Sequence, residues 1–294
     1  MKRYPYYLIA RVGDDEACHE LYSEIKELPA TFTRGRIQDD LDVSINGPLH
    51  GLKSVLSAMD NDTGRRCLIK LLSPPELNVS VTYEKKEEAI KLEVETCETV
   101  TNAKIDGLVS SSVVKVRVEN SQELSIGTGE WFALKMRHYH SSLTQVPQLS
   151  RKLLYRGYLR MKNALIGLHG LNLVHMDVKS DNVFVDEDGI WNLGDFGSAR
   201  APGTSCWTFT DVLNPYQLIQ LKTKVVPSMD FVCLCVMIAV EINKESWKSR
   251  LCGDLQKVQR DLIVKSLGAI EDETFREDIV ALFTGSYSIV LGTL

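Results

Sequence analysis

The stretch VHMDVKSDNVFVDEDGIWNLGDFGSAR, Val174 to Arg200, restricts this 294-residue chain more than any other part of it. Two short apolar runs, Val183 to Val185 and Ile190 to Leu193, flank Asp186-Glu187-Asp188-Gly189. Acidic residues closing on a glycine supply turn chemistry, so the two runs are expected to pair as an antiparallel hairpin. Pairing puts Asn182 just before one strand and Asp195 just after the other, at the same end of the hairpin. An amide oxygen and a carboxylate brought together there are hard-oxygen ligands suited to Mg²⁺ carrying a polyphosphate. Asp177 lies five residues before Asn182, and Lys179 two residues after Asp177. A carboxylate on that loop can orient a hydroxyl nucleophile, and an ammonium beside it can neutralise charge on a phosphoryl group in transit. Any one of these residues is ordinary content for a solvated acidic loop. All four at this spacing point to phosphate chemistry.

The rest of the chain divides by pattern. Asp42 to Ile45, Ser54 to Met59 and Arg66 to Leu72 read as strands, the last two separated by the turn Asp60-Asn61-Asp62-Thr63-Gly64, and Pro74-Pro75 ends the third. Tyr83 to Asn102 is helical in period, with Ile90, Val94 and Cys97 at i, i+4 and i+7. Val113 to Val118 and Trp131 to Tyr139 read as strands again. Leu149 to Leu168 is an amphipathic helix with Leu153, Leu154, Tyr158, Met161, Leu165 and Leu168 on its apolar face, and after Phe231 the pattern is nearly all helical. A strand-rich first half and a helix-rich second half, joined near Arg137 to Thr144, predict an α+β chain of two lobes.

Composition narrows the class. With 44% hydrophobic and 25% charged residues the chain has the makings of a real core. Its 39 acidic against 34 basic side chains argue against a dedicated nucleic-acid binder. The longest apolar run, Phe231 to Ile242, is interrupted by Glu241 and falls short of the roughly 18 residues of a membrane span. The basic start MKRYPYYLIAR ends its apolar stretch at Arg11, too early for a signal peptide. Seven cysteines without a CxxC pair or zinc spacing are expected as reduced thiols, which suits a cytoplasmic or nuclear protein.

His-x-Asp-x-Lys-x-x-Asn at His175 to Asn182, followed by Asp195-Phe196-Gly197, resembles the catalytic loop and metal-binding motif of eukaryotic-type protein kinases. The resemblance implies a bilobal fold. A β-rich N-lobe would span residues 42–140 and a mainly α-helical C-lobe 141–294, with 1–41 as an N-terminal extension. It implies transfer of the γ-phosphate of ATP, with Mg²⁺, to Ser or Thr of a protein substrate, Lys179 being the residue associated with Ser/Thr specificity. Asp177 would be the catalytic base, Asn182 and Asp195 the Mg²⁺ ligands, and His175 and Phe196 the packing behind them. Cys67-Leu68-Ile69-Lys70 is similar to the family's VAIK strand, which makes Lys70 the lysine of the α- and β-phosphates. That lysine needs a glutamate on the next helix: Glu93, with Glu87, Glu88 and Glu98 as rivals. Val55, Leu68, Met136, Arg137 and His138 would surround the adenine, Met136 as gatekeeper and Arg137-His138-Tyr139 through the backbone. Asp230 resembles the aspartate that braces the catalytic loop.

Four departures from the family qualify this. Only Gly47 and Gly51 occur where a glycine-rich loop is expected, with His50 and Lys53 at other glycine places. Leu68 stands for an alanine and adds bulk over the adenine. Asn214-Pro215-Tyr216 stands where an Ala-Pro-Glu is usual. Met176 replaces an arginine that would pair with a phosphate on the segment holding Thr204, Ser205, Thr208 and Thr210, so activity is expected without phosphorylation there. A pseudokinase scaffold and a small-molecule kinase are the rival functions. The five retained side chains count against the first, the Asp-Phe-Gly and the segment before Pro215 against the second.

Overall fold

The computed structural model describes residues 55–60, 65–72, 83–118, 129–146, 149–204, 224–243 and 260–292. The strand expected at Asp42 to Ile45, the loop of Gly47, His50, Gly51 and Lys53, and Ser205, Thr208, Thr210 and Asn214-Pro215-Tyr216 lie outside these residues. Among the described residues the fold is mixed α+β, with two small antiparallel sheets and five helices. The chain forms two compact units. Of the described residues, those up to Asn102 and Ser110–Tyr139 make the first; Ala103–Val109 and those from His140 on make the second.

In the first unit, β1 (Val55–Asp60), β2 (Arg65–Leu72), β3 (Ser111–Val118) and β4 (Gly129–Arg137) form one antiparallel sheet in the order β1-β2-β4-β3. Four consecutive residues of β2, Cys67 to Lys70, are buried, as expected of a strand covered on both faces. The register sets Leu68 opposite Met136 and Lys70 opposite Leu134, so these four side chains share a face. Helix α1 (Tyr83–Ala103) buries Glu93, Thr96, Cys97 and Val100, while Ile90 and Val94 are only half-buried. The helix is therefore rotated from the stripe expected of Ile90, Val94 and Cys97. The rotation gives the buried Lys70 ammonium its carboxylate. Leaving that charge unpaired would cost more than half-exposing two aliphatic side chains.

The second unit is built around α3 (Ser228–Ile242), buried without a break from Val232 to Ala239. It packs against α2 (Arg151–Gly170), α4 (Arg260–Gly268) and α5 (Glu273–Gly292). Ser150 caps α2 by accepting from the Leu153 amide. The buried face of α2 is Leu154, Gly157, Tyr158, Met161, Ala164, Leu165 and Leu168. Leu153, expected on that face, is 38% exposed: it stands one residue, about 100° of helical turn, from Leu154.

A second sheet runs β5 (Ser141–Ser142), β6 (Val183–Val185), β7 (Trp191–Leu193). Leu108 extends it by a parallel bridge, with Val109 N donating to Leu193 O at 2.8 Å and Leu193 N to Gly107 O at 2.7 Å. Nothing in the sequence pattern marks residues 103–109 for this role. Arg160 of α2 holds the segment, its guanidinium on both oxygens of Asp106 (2.5 and 2.6 Å) and its Nε on Trp191 O at 2.7 Å. Gly157 lets β7 lie close to α2, since a Cβ there would come within 2.4 Å of the Trp191 ring.

Between α2 and α5, Asp278 accepts from Tyr158 Oη at 2.7 Å and from Lys162 Nζ at 2.7 and 2.9 Å. Burial, then the bond to Asp278, pushes the Tyr158 phenol far up. Burial alone would raise the Asp278 carboxyl, but hydrogen bonds from Lys162 and Tyr158 and the Lys162 charge outweigh it and hold the group below its ordinary value. A carboxyl so lowered adds stability above its unfolded-state pKa and loses it as pH falls through the folded one. Tyr158→Phe and Asp278→Asn should each destabilise the fold by about 1 kcal/mol at pH 7, the exposure of Asp278 keeping the value small. In urea titrations at pH 7 and pH 3, the gap between wild type and Asp278→Asn should shrink at the lower pH. An equal gap at both would refute the carboxylate's part.

Candidate functional site

The hairpin places the polar residues singled out in the sequence. Val183 pairs with Leu193 and Val185 with Trp191. The turn closes with Gly189 N on Asp186 O at 3.0 Å, Gly189 at φ +74°, while Asp186 Oδ1 accepts from the amides of Asp188 and Ile190. One step beyond the strands, Gly194 N donates to Asn182 O at 2.9 Å. Asn182 and Asp195 thus leave the same end of the hairpin.

The loop before the hairpin is fastened at its base. Val174 and Arg200 exchange both backbone hydrogen bonds, at 2.8 and 2.9 Å. Met176 then takes a left-handed conformation, φ +66°, which is strained for a residue other than glycine. Asp230, wholly buried in the first turn of α3, offsets that strain. Its Oδ2 accepts from His175 N at 2.7 Å and its Oδ1 from Met176 N at 2.8 Å. His169, in the last turn of α2, brings Nε2 within 2.9 Å of Oδ2. A carboxylate at a helix N-terminus also lies at the favourable end of the peptide dipoles.

His175 is held in one tautomer. The Asp177 amide donates to its Nδ1 at 3.2 Å, so Nε2 carries the proton and donates to Gly194 O at 3.0 Å. The Phe196 ring packs 5.4 Å from the imidazole. Asp177 Oδ2 accepts from Lys179 Nζ at 2.8 Å and from Asn182 Nδ2 at 2.9 Å, and Asn182 Nδ2 also reaches Asp177 O at 2.8 Å. Both acceptors require the amide nitrogen on their side, which fixes the Asn182 flip and turns Oδ1 the other way. Asp195 is half-buried at φ +62°, and its carboxylate accepts from the Gly197 amide at 3.4 Å over the short turn Phe196–Ser198.

An amide oxygen and a carboxylate from adjoining chain ends suit Mg²⁺, which takes few protein ligands and fills its shell with water and phosphate. Among the described residues no group of three or more His, Cys, Asp or Glu side chains is placed to hold a metal ion.

In the first unit, Lys70 Nζ forms an ion pair with Glu93 Oε1, their side chains 4% and 7% exposed. Of the rivals, Glu98 is exposed, and the side chains of Glu87 and Glu88 lie outside the described residues. Leu68 and Met136 are buried cross-strand neighbours. Arg137 is exposed with its guanidinium 4.6 Å over the Tyr139 ring, and His138 is half-buried. Val55 pairs with Lys70 in the backbone register; its side chain lies outside the described residues. The expected site residues therefore fall into two sets, one in each unit. His169 is a member that motif reading misses, although a histidine closing the buried face of α2 six residues before His175 is a signal the sequence carries. No protein-family model matches the chain, and no curated protein matches it.

Removing one member of a buried ion pair strands the other charge, so Glu93→Gln should destabilise the protein by about 3 kcal/mol. The double variant Lys70→Met/Glu93→Leu should recover more than half of that in the same urea titration. A double variant as unstable as Glu93→Gln would contradict the cost assigned to the stranded lysine.

Proposed function

We propose that the chain is a Mg²⁺- and ATP-dependent protein kinase with the bilobal protein-kinase fold, transferring the γ-phosphate to a Ser or Thr hydroxyl of a protein. The observation that carries this is the Asp177 carboxylate holding Lys179 and Asn182 in one loop, while the facing strand delivers Asp195.

Asp177, oriented by the Asn182 amide, directs the substrate hydroxyl and takes its proton as the new O–P bond forms and the bond from the γ-phosphorus to the β,γ-bridging oxygen breaks, releasing ADP. Lys179, hydrogen-bonded to Asp177, neutralises charge on the transferring phosphoryl group. Asn182 and Asp195 would hold Mg²⁺, which would supply charge neutralisation along the polyphosphate. Lys70, steadied by Glu93, is assigned the α- and β-phosphates, and Val55, Leu68, Met136, Arg137 and His138 the adenine. The neutral, buried Met176 puts no arginine beside Asp177 to pair with a phosphate on the segment after Asp195. Arg200, the basic residue considered in its place, directs its guanidinium to the carbonyls of Gly197 (3.2 Å) and Ala199 (2.6 Å).

A scaffold with weak nucleotide turnover is the second reading. It is favoured by the buried Leu68 directly opposite Met136, where the family has a methyl group.

One assay separates them: γ-phosphate transfer to a generic basic protein with Mg²⁺. Asp177→Asn should lower transfer by about 10²-fold or more with nucleotide binding kept, and Asp195→Ala should abolish Mg²⁺-dependent turnover. Undiminished transfer in Asp177→Asn would remove the assignment. Leu68→Ala should tighten ATP binding in calorimetry. Phosphatase treatment should leave the wild-type rate unchanged, whereas a large drop would mean that a phosphate switch operates without the arginine.

A further inference from the structure

The loop of Asp177 is fastened to α3 a second time, at the other end of that helix. Ser180 Oγ donates to Glu241 Oε1 at 2.7 Å. Asp230 lies in the first turn of α3 and Glu241 in its last. Eleven residues separate them in sequence, about 16 Å along the helix. Asp230 holds the amides of His175 and Met176; Glu241 holds the hydroxyl of Ser180. Asp177, Val178 and Lys179 are the residues suspended between the two attachments, with Val178 buried.

Ser180 opens the single 3₁₀ turn Ser180–Asn182, whose preceding residue Lys179 is extended at φ −156°, ψ 163°. Asn182 N donates to Lys179 O at 3.0 Å and Val183 N to Ser180 O, and a turn this short is a weak element in isolation. Swinging it would carry the Asn182 amide off Asp177 and Lys179 with it. A hydroxyl bonded to a carboxylate is a stronger tie than a neutral pair.

We infer that Ser180 and Glu241 are positioning residues that set the angle of this turn, and through it the contacts of Asn182 and Lys179 with Asp177. This rests on the phosphotransfer role proposed for the loop. Neither residue touches the reacting groups, so the effect belongs in kcat and not in the KM for ATP.

The experiment compares Ser180→Ala, Ser180→Thr, Glu241→Gln and the double variant Ser180→Ala/Glu241→Gln in the full chain, beside Asp177→Asn. Readouts are phosphotransfer kinetics, thermal midpoint and amide hydrogen exchange of residues 177–182. Ser180→Ala should lower kcat by about tenfold at unchanged KM and midpoint, and speed exchange in that segment. Ser180→Thr keeps the hydroxyl and should recover most of the rate. Glu241→Gln keeps an acceptor and should lose less than Ser180→Ala, and the double variant should be no slower than Ser180→Ala alone. Unchanged kcat in Ser180→Ala, with Asp177→Asn inactive, would overturn the inference and leave the phosphotransfer role standing. So would equal losses in Ser180→Ala and Ser180→Thr with a lowered midpoint. Should Asp177→Asn turn over like wild type, the phosphotransfer role falls and the positioning role with it.

Discussion

The Asp230 carboxylate is the interaction on which the candidate site depends. A buried carboxylate is tolerated only when its lone pairs are occupied, and here they take two backbone amides and the His169 ring nitrogen. Met176 in turn is tolerated at positive φ only because its amide has this partner. The groups therefore hold one another in place. The reversal at Met176 sends the chain outward as Asp177, while His175 stays inside with its ring on Gly194 O. A single proton position on His175 then ties the loop to the strand end that precedes Asp195. The core helix α3 thereby fixes side chains that come from three separate stretches of sequence.

Asp230 apart, charge is handled differently in the two units. The first places Lys70 and Glu93 in the interior, where neither tolerates loss of the other. The second keeps Lys179, Asp177 and Asp195 half-buried, where they retain access to solvent or a charged ligand. Lys162, Asp278 and Tyr158 show a third solution, a network bridging helices and partly wetted at its edge. Each arrangement satisfies its polar groups at the depth where it sits.

Much of this was legible in the sequence, for reasons that can be named. The hairpin could be read because its turn chemistry and its apolar runs are local, and its geometry follows from pairing alone. Helix α1 was legible in extent, yet its orientation was not, because apolar periodicity ignores a buried ion pair that outweighs two aliphatic side chains. Leu153 was misplaced for a similar reason: a pattern of six apolar residues on α2 was wider than the face that is covered. The pairing of Gly107 and Val109 with Leu193 had no local signal at all. It joins residues more than eighty positions apart, and the segment is too short to show a period.

That short segment makes the architecture discontinuous. The described chain leaves the first unit at Ala103, adds a strand-like piece beside Leu193, returns at Ser110 and leaves again at His140. Neither unit is thus a single stretch of sequence, and no one cut yields both intact. A fragment ending at Tyr139 carries away Gly107 and Val109, leaving Leu193 with an open edge and Arg160 without Asp106. Dissection of this protein into working halves would need a transplanted heptapeptide, residues 103–109, rather than a change of terminus. A cut at the obvious seam would strip the edge of the sheet that presents Asp195.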